Sequence, residues 1–504
     1  MKILPFLLLI LVSAGFWFEP PLPPKRPNIL LVISDDQSFA HTSISGCSFV
    51  RTPHFDRVAR EGTLFTNAYV TSPGCSPSRA SLLTGRYPWQ IAEAGTHASS
   101  FPQAYVVFPD RLEAAGYRVG FTGKGWGPGD WRVSGRSRNP AGEAYQKKTM
   151  AKAFEGVSTC DYAANFADFY AQKAPGQPFY FWLGTQEPHR PFERDAYQRV
   201  GKDLAQAQVP GFLPEDSVVQ GDLLDYAVEV EYLDEQLGKV LAFLEEKKEL
   251  DNTIIVVTSD NGMAFPAAKA NCFEYGVHVP LAIRWGQQGV ARQVVKQPVS
   301  LVDLTPTFLE VAGVPTQGLG LSGRSLLPTL RGKKRAEARP VYFGRERHSS
   351  ARYQNHGYPQ RGVREGKYLY IHNFRPERWP AGDPQGYDAQ GQLVDSYADI
   401  DACPTLDQLL AHRHTAPYDD YLRLATAQRP AEELYDLEKD PYCRRNLAAE
   451  AGFEQPRRRL QRQLFSYLRS TQDARVVGPD PEVFETYPRL QGPIRKFPES
   501  NKKD

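Results

Sequence analysis

Short, unbroken aliphatic runs alternate with segments of helical period through the first two thirds of the chain. Asn28 to Ser34 (N-I-L-L-V-I-S), Pro178 to Gly184 (P-F-Y-F-W-L-G) and Thr253 to Ser259 (T-I-I-V-V-T-S) carry no polar alternation. That pattern predicts strands covered on both faces. Phe65 to Val70 and Tyr117 to Gly123 read as further short strands. Between them, Pro53 to Leu64 places Phe55, Val58 and Ala59 at helical spacing with a stop at Gly62, and Phe108 to Ala115 reads as a second helix. A longer helix is predicted from about Leu223 to Leu250, with Ala227, Val230, Leu233, Leu237, Val240 and Leu241 on one face. This alternation predicts an α/β domain, a largely parallel sheet sandwiched by helices, with ligands bound beyond the carboxyl ends of the strands.

From about Val341 the texture changes to short strands and turns, V-Y-F-G-R, Q-R-G-V-R, G-K-Y-L-Y-I-H-N and E-L-Y-D-L, followed by an amphipathic helix near Gln455 to Leu468. A smaller α+β domain with an antiparallel sheet is expected there. The expected divisions are 28–335 for the first domain, 336–475 for the second, and a loosely held tail over 476–504.

Ahead of the first strand, Lys2 precedes an apolar run to Phe18, which reads as a secretory signal over 1–20, followed by a Pro-rich linker over 21–27. The run is short for a bilayer span, which needs about 20 apolar residues. Export from the cytosol is expected, to a periplasmic, extracellular or lysosomal-type lumen, as a free or a membrane-tethered protein. The 60 basic and 58 acidic residues nearly balance, so no global field points to nucleic acid. Selectivity for an anion must come from local placement. Of six cysteines none has C-x-x-C spacing, and Cys403 with Cys443 is a possible bridge.

The chemistry-bearing residues stand where such a sheet binds its ligands. Asp35 and Asp36 end the first run, Lys124 follows the strand at 117–123, His189 follows the one at 178–184, and Asp260 with Asn261 ends the last. Adjacent carboxylates repel, so Asp35 and Asp36 either face water together or are held by a cation, and an all-oxygen set suits calcium or magnesium. In P-G-C-S-P-S-R-A-S-L-L-T-G, from Pro73 to Gly85, Ser76 reads as a helix N-cap with Pro77 in the first turn. Cys75 would then sit at the positive end of a helix, favouring a thiolate and a bound oxyanion, with Arg79 one turn on aimed at the same anion.

The run C-S-P-S-R-A-S-L-L-T-G resembles the signature of the type I sulfatases, whose fold is alkaline-phosphatase-like. The D-D pair after the first strand and the late S-D-N-G match that family in residue type and order. The resemblance implies that Cys75 is oxidised to formylglycine by a separate maturation enzyme. It further implies that Asp35, Asp36, Asp260, Asn261 and the modified Cys75 hold one divalent ion, usually Ca2+. The implied roles are the formylglycine hydrate as nucleophile, Arg79 as its support, Lys124 and Lys269 on the sulfuryl oxygens, and His189 as proton donor to the leaving atom. One position departs from the pattern: sulfatases commonly carry histidine two residues after the lysine, where this chain has Trp126. That imidazole is either missing here or replaced from elsewhere, for instance by His97 or His348.

Several stretches look closest to the heparan N-sulfatase (N-sulfoglucosamine sulfohydrolase, or sulfamidase) branch, among them E-P-H-R, T-S-D-N-G-M-A-F-P, S-L-V-D-L-T-P-T-F-L and G-Y-P-Q-R-G-V-R. The substrate so implied is a sulfated saccharide, N-sulfoglucosamine of heparin or heparan sulfate, with His348, His356 and Arg361 on the sugar side of the pocket. The alternatives are an O-sulfatase on another sugar, a phosphonate or phosphate ester hydrolase of the same fold, and a non-catalytic sulfoglycan-binding protein.

Overall fold

The computed structural model describes residues 26–333 and 338–499, so the leader and nearly all of the Pro-rich linker lie outside the described residues. The first domain is built on a sheet of nine strands: β1 (Asn28–Ser34), β2 (Thr63–Tyr69), β3 (Arg118–Gly123), β4 (Glu143–Ala144), β5 (Phe179–Gly184), β6 (Thr253–Ser259), β7 (His278–Arg284), β8 (Gln293–Val295) and β9 (Val299–Ser300). Their order is β4-β3-β5-β1-β6-β7-β2-β8, with β9 also on β2. β7 runs antiparallel to both its neighbours, β6 and β2, and the remaining pairings are parallel.

The strands lacking polar alternation are the central ones. β1 lies between β5 and β6, with Leu31 level with Trp182 on one side and Val256 on the other. Ile29, Leu31 and Ile33 enter one apolar core, and Leu30 and Val32 enter another on the opposite face. A strand covered twice has no face to leave polar, which is the physical origin of the unbroken runs. The long helix spans Ser217–Glu246, six residues earlier at its start than its apolar period indicates, because the Asp216 side chain caps it by accepting from the amides of Val218 and Val219.

The second domain carries an antiparallel sheet of β10 (Val341–Arg345), β11 (Gln360–Glu365), β12 (Tyr368–Asn373) and β15 (Glu432–Asp436). A small ribbon, β13 (Gln385–Tyr387) with β14 (Leu393–Asp395), stands apart from it. The helix Glu454–Ser470 buries Leu460, Leu464 and Leu468 at successive turns in a core shared with Val363, Tyr370 and Leu434.

Two features differ from what the sequence leads one to expect. The segment expected as a loose tail packs back on the molecule as far as residue 499: Phe484 and Phe497 are buried, and the Leu490 amide donates to the carbonyl of Ala98 in the first domain. All six cysteines are free and buried, so Cys403 and Cys443 form no bridge. Cys403 instead caps the helix Pro404–Ala411, its sulfur accepting from the Leu406 amide.

Candidate active site

β1, β3, β5 and β6 are parallel neighbours, so their carboxyl ends open on one edge of the sheet and bring together side chains that are far apart in sequence. There Asp35 and Asp36 leave β1, Lys124 leaves β3, Asp260 and Asn261 leave β6, and His189 stands in the loop after β5. The chain leaves β2 into the loop before the helix Cys75–Thr84, which enters the same pocket by its first turn. One ligand atom from each of Asp35, Asp36, Cys75 and Asp260 falls within 4.8 Å of the others. All four are buried.

The helix start differs in detail from expectation. Gly74, in extended conformation, is the N-cap, and Ser76 lies inside the first turn, its hydroxyl accepting from the amide of Ala98. Nor is Cys75 a thiolate. Burial raises the thiol well above its ordinary value, against the pull of Lys124 and Lys269. Sγ lies 3.8 Å from Asp36 Oδ1.

Arg79 is fully buried beneath the carboxylates. Its Nε donates to Asp260 Oδ2 at 2.7 Å, Nη1 donates to the carbonyls of Lys124 and Gly125, and Nη2 lies 3.8 Å from Asp35 Oδ1. The sequence suggests that this fork faces the anion directly; it faces the acids instead and orients them. Lys124 Nζ meets Asp35 Oδ2 at 2.5 Å, Lys269 Nζ meets Asp36 Oδ2 at 2.6 Å, and Asn261 Nδ2 donates to Asp36 Oδ1 at 2.7 Å. His189 donates from Nδ1 to the carbonyl of Arg190 at 2.6 Å, which leaves Nε2 facing the pocket, 3.8 Å from Asp36 Oδ2.

The donor set suits a hard divalent cation. Asp35 Oδ1 and Asn261 Oδ1 are buried with no hydrogen-bond partner, and both are oxygen acceptors beside two further aspartates. Burial raises Asp260, and the nearby Asp35 and Asp36 add to the rise against the pull of Arg79. Burial acts on Asp35 too, but Lys124, His189 and Arg79 together hold it below the usual carboxylate range. Asp260 is thus under-neutralised, a condition that a bound cation relieves.

Around this centre the remaining expected residues divide. His348 lies against the helix start: a Cβ at Gly74 would fall 3.0 Å from its Nδ1. His97 packs against His348 with ring centroids 4.5 Å apart and the planes tilted by 38°, and burial pushes His348 down to about 3 and His97 well below its ordinary value. Both imidazoles are therefore neutral neighbours of the site. Trp126 is buried and donates from Nε1 to the carbonyl of Ser76, bracing the first turn of the Cys75 helix.

His356 has Arg378, Glu485, Glu482 and Asp383 as its charged neighbours, from the second domain and the segment that follows it. Arg361 is a correction. It is buried, with Nε and Nη2 on Asp473, Nη2 also on Glu346, and Nη1 on the carbonyls of Arg345 and Gln360, so no donor is left for a sugar. Sequence reasoning missed Asp401, which arrives from the second domain to meet Lys269 Nζ at 2.9 Å. It also missed Asp222, which receives both ends of the Arg190 fork at 2.7 and 2.8 Å, next to His189. An acid on the buried face of a long helix was the available signal for Asp222; Asp401 sits in an irregular loop and had none.

With this geometry in view, the comparisons with known proteins are decisive. The sulfatase family model matches residues 27–314, more than half of the chain. The chain belongs to the sulfatase family. It is a hydrolase of that family, and a second model, the C-terminal part of N-sulphoglucosamine sulphohydrolase, matches residues 268–401. Human N-sulphoglucosamine sulphohydrolase is 29% identical over 500 residues, covering 90% of this chain and 92% of the human protein. An ulvan-active sulfatase of Formosa agariphila is 28% identical over 481 residues, covering 89% of this chain and 76% of the relative. Among solved structures, BT4656 in complex with its substrate D-glucosamine-2-N,6-O-disulfate superposes with a TM-score of 0.65 at 20% identity, covering 90% of this chain and all of that one; at such identity the likeness concerns the fold.

Proposed function

We propose that this sulfatase releases sulfate from N-sulfoglucosamine units of heparin or heparan sulfate, with formylglycine made from Cys75 and one calcium ion at its centre. The observation that carries the reading is the meeting of Cys75 with Asp35, Asp36 and Asp260 within 4.8 Å, ringed by Arg79, Lys124, Lys269 and His189. Asp35, Asp36, Asp260 and Asn261 would hold the ion, whose contribution is Lewis-acid polarisation of a sulfuryl oxygen. Formylglycine supplies an oxygen nucleophile that a buried, protonated thiol does not.

The chain's own groups then have defined work. Arg79 keeps Asp260 and Asp35 aimed inward. Lys124 and Lys269 each spend one or two donors on carboxylates and offer the rest to sulfuryl oxygens. His189, held through Nδ1, moves a proton at Nε2 to the departing nitrogen. Trp126 braces the helix start, and His97 with His348, which lies against Gly74, are the imidazoles available to replace the one absent at position 126. The apolar leader at 1–18 supports a protein exported to the compartment in which it meets its glycan.

The match of the N-sulphoglucosamine sulphohydrolase C-terminal model favours the N-sulfated sugar. The nearly equal identity to the ulvan-active relative makes another sulfated polysaccharide the second reading. The test is mass spectrometry of the Cys75 peptide from protein co-produced with a maturation enzyme, joined to sulfate release from N-sulfoglucosamine, glucosamine 6-sulfate and an aryl phosphate. An aldehyde at Cys75 and preferential turnover of the N-sulfated sugar are expected. An intact thiol, or release from the O-sulfate alone, refutes the reading.

A further inference from the structure

Three side chains at the pocket are partly open to solvent while the groups beneath them are closed: His189 at 35%, Asp401 at 31% and Lys124 at 18%, against 5% for Lys269 and 2% or less for Asp35, Asp36, Asp260 and Arg79. Among the charged side chains around the buried centre these three are the most open to solvent. Two of them are bases. Asp401 is the acid at the mouth, and one ligand atom from each of Asp36, His189 and Asp401 falls within 4.8 Å of the others.

Asp401 is held there from both sides. Two residues before it, Asp399 is buried on Arg345 at 2.5 Å and Arg352 at 2.8 Å, and takes the Ser349 amide and hydroxyl. Four residues after it, the Thr405 hydroxyl donates to Asp222 Oδ2 at 2.6 Å, the carboxylate that also receives the Arg190 fork. Arg190 follows His189, so one ion pair fixes the acid and the base of the pocket mouth relative to each other. Of the two Asp401 oxygens, Oδ2 takes Lys269; Oδ1 has no hydrogen-bond partner among the described residues. Such an arrangement orients the carboxylate and leaves half of it to a ligand.

A pocket that binds sulfate through cations gains nothing for the sulfate itself from an acid at its mouth, because the acid repels the anion. The acid becomes useful if the molecule carrying the sulfuryl group also carries a hydrogen-bond donor beside it. We propose that Asp401 determines specificity by accepting, through Oδ1, a hydrogen bond from a sugar hydroxyl or N–H next to the sulfuryl group, and by repelling substrates with a second anionic group at that place. The proposal rests on the sulfated-sugar reading above and names what selects the sugar.

The test is calorimetric titration of protein made without the maturation enzyme, with calcium present, using glucosamine N-sulfate and inorganic sulfate as probes. The wild type binds the sugar more tightly than sulfate. Asp401→Asn, which keeps shape and removes charge, weakens sugar binding roughly tenfold or more, the scale of a charge-assisted hydrogen bond, while sulfate binds at least as tightly as before. Asp401→Ala gives the same probe-selective loss and guards against an amide that finds a new partner. A parallel loss for both probes makes Asp401 only a support for Lys269 and overturns the proposal. So does unchanged sugar affinity, or a wild type that prefers sulfate. Failure of the substrate reading has its own signature: matured wild type releases sulfate from O-sulfated but not from N-sulfated glucosamine.

Discussion

Replacing Arg79 with alanine separates the two ways in which the buried acids can be kept ionised. The guanidinium has no exposure to solvent, and its Nε lies 2.7 Å from Asp260 Oδ2. Nη1 satisfies two carbonyls, of Lys124 at 2.7 Å and Gly125 at 3.1 Å, and Nη2 stands 3.8 Å from Asp35 Oδ1. Removing one partner of a buried ion pair costs about 3–5 kcal/mol, because the other charge stays behind in a medium that solvates it poorly. Each stranded carbonyl adds about 1–3 kcal/mol unless water enters the space. The same relaxation serves all these groups, so the sum is not additive, and about 3–5 kcal/mol is the expected loss without metal. That is a large share of the roughly 5–15 kcal/mol by which domains are stable.

Calcium changes the outcome. If Asp35, Asp36 and Asp260 are its ligands, the ion replaces the positive charge that the substitution removes, and at 100 times its Kd it returns about 2.7 kcal/mol. Urea unfolding of wild type and Arg79→Ala, each in chelator and in excess calcium at neutral pH, reads both quantities. The variant is expected to lose most in chelator and to recover by at least about 1.4 kcal/mol more than the wild type in calcium, a tenfold stronger linkage. Equal losses in the two conditions refute the ligand assignment. A loss below about 1 kcal/mol in chelator refutes the claim that the guanidinium holds the acids.

Arg361→Ala tests the correction to the second domain: with Asp473 and Glu346 left buried, the protein should lose about 3–5 kcal/mol in urea while the KM of any residual folded enzyme stays unchanged, and a raised KM at unaltered stability would return Arg361 to the sugar site. Acid sensitivity should come in part from His41, which burial pushes down to about 3. Its folded value lies below the unfolded one, so the unfolded chain takes up the proton first; stability is complete above about 6.5 and falls by about 1.4 kcal/mol per pH unit beneath it. Urea midpoints at pH 7 and 5 for wild type and His41→Asn check this, and a variant with the same slope as the wild type counts against it.

Much of the catalytic edge is legible in the order of residues along the chain. β1, β5 and β6 stand out as runs without alternation because a strand covered on both faces has no solvent face on which to place polar side chains. Once those strands are parallel neighbours, the residues that follow them must converge, and Asp35, Asp36, Lys124, His189, Asp260 and Asn261 do. The Cys75 helix is recognisable too, although its cap is Gly74 and not Ser76, since a hydroxyl can serve another amide just as well and Ser76 serves that of Ala98.

The sequence by itself determined the central strands of the first sheet, their largely parallel arrangement and the chemistry standing at their ends, because these depend on short-range hydrophobic period and on residue type. Only the tertiary structure decided which charges meet. Asp401 faces the pocket and Arg361 is sealed away from it, though both come from the same domain and only Arg361 stands in a stretch that the sequence singles out. It also decided that Cys75 is a protonated thiol and that Cys403 caps a helix instead of forming a bridge. Partner choice over long separations follows from burial and the distance between backbone segments, and those quantities exist only once the chain has packed.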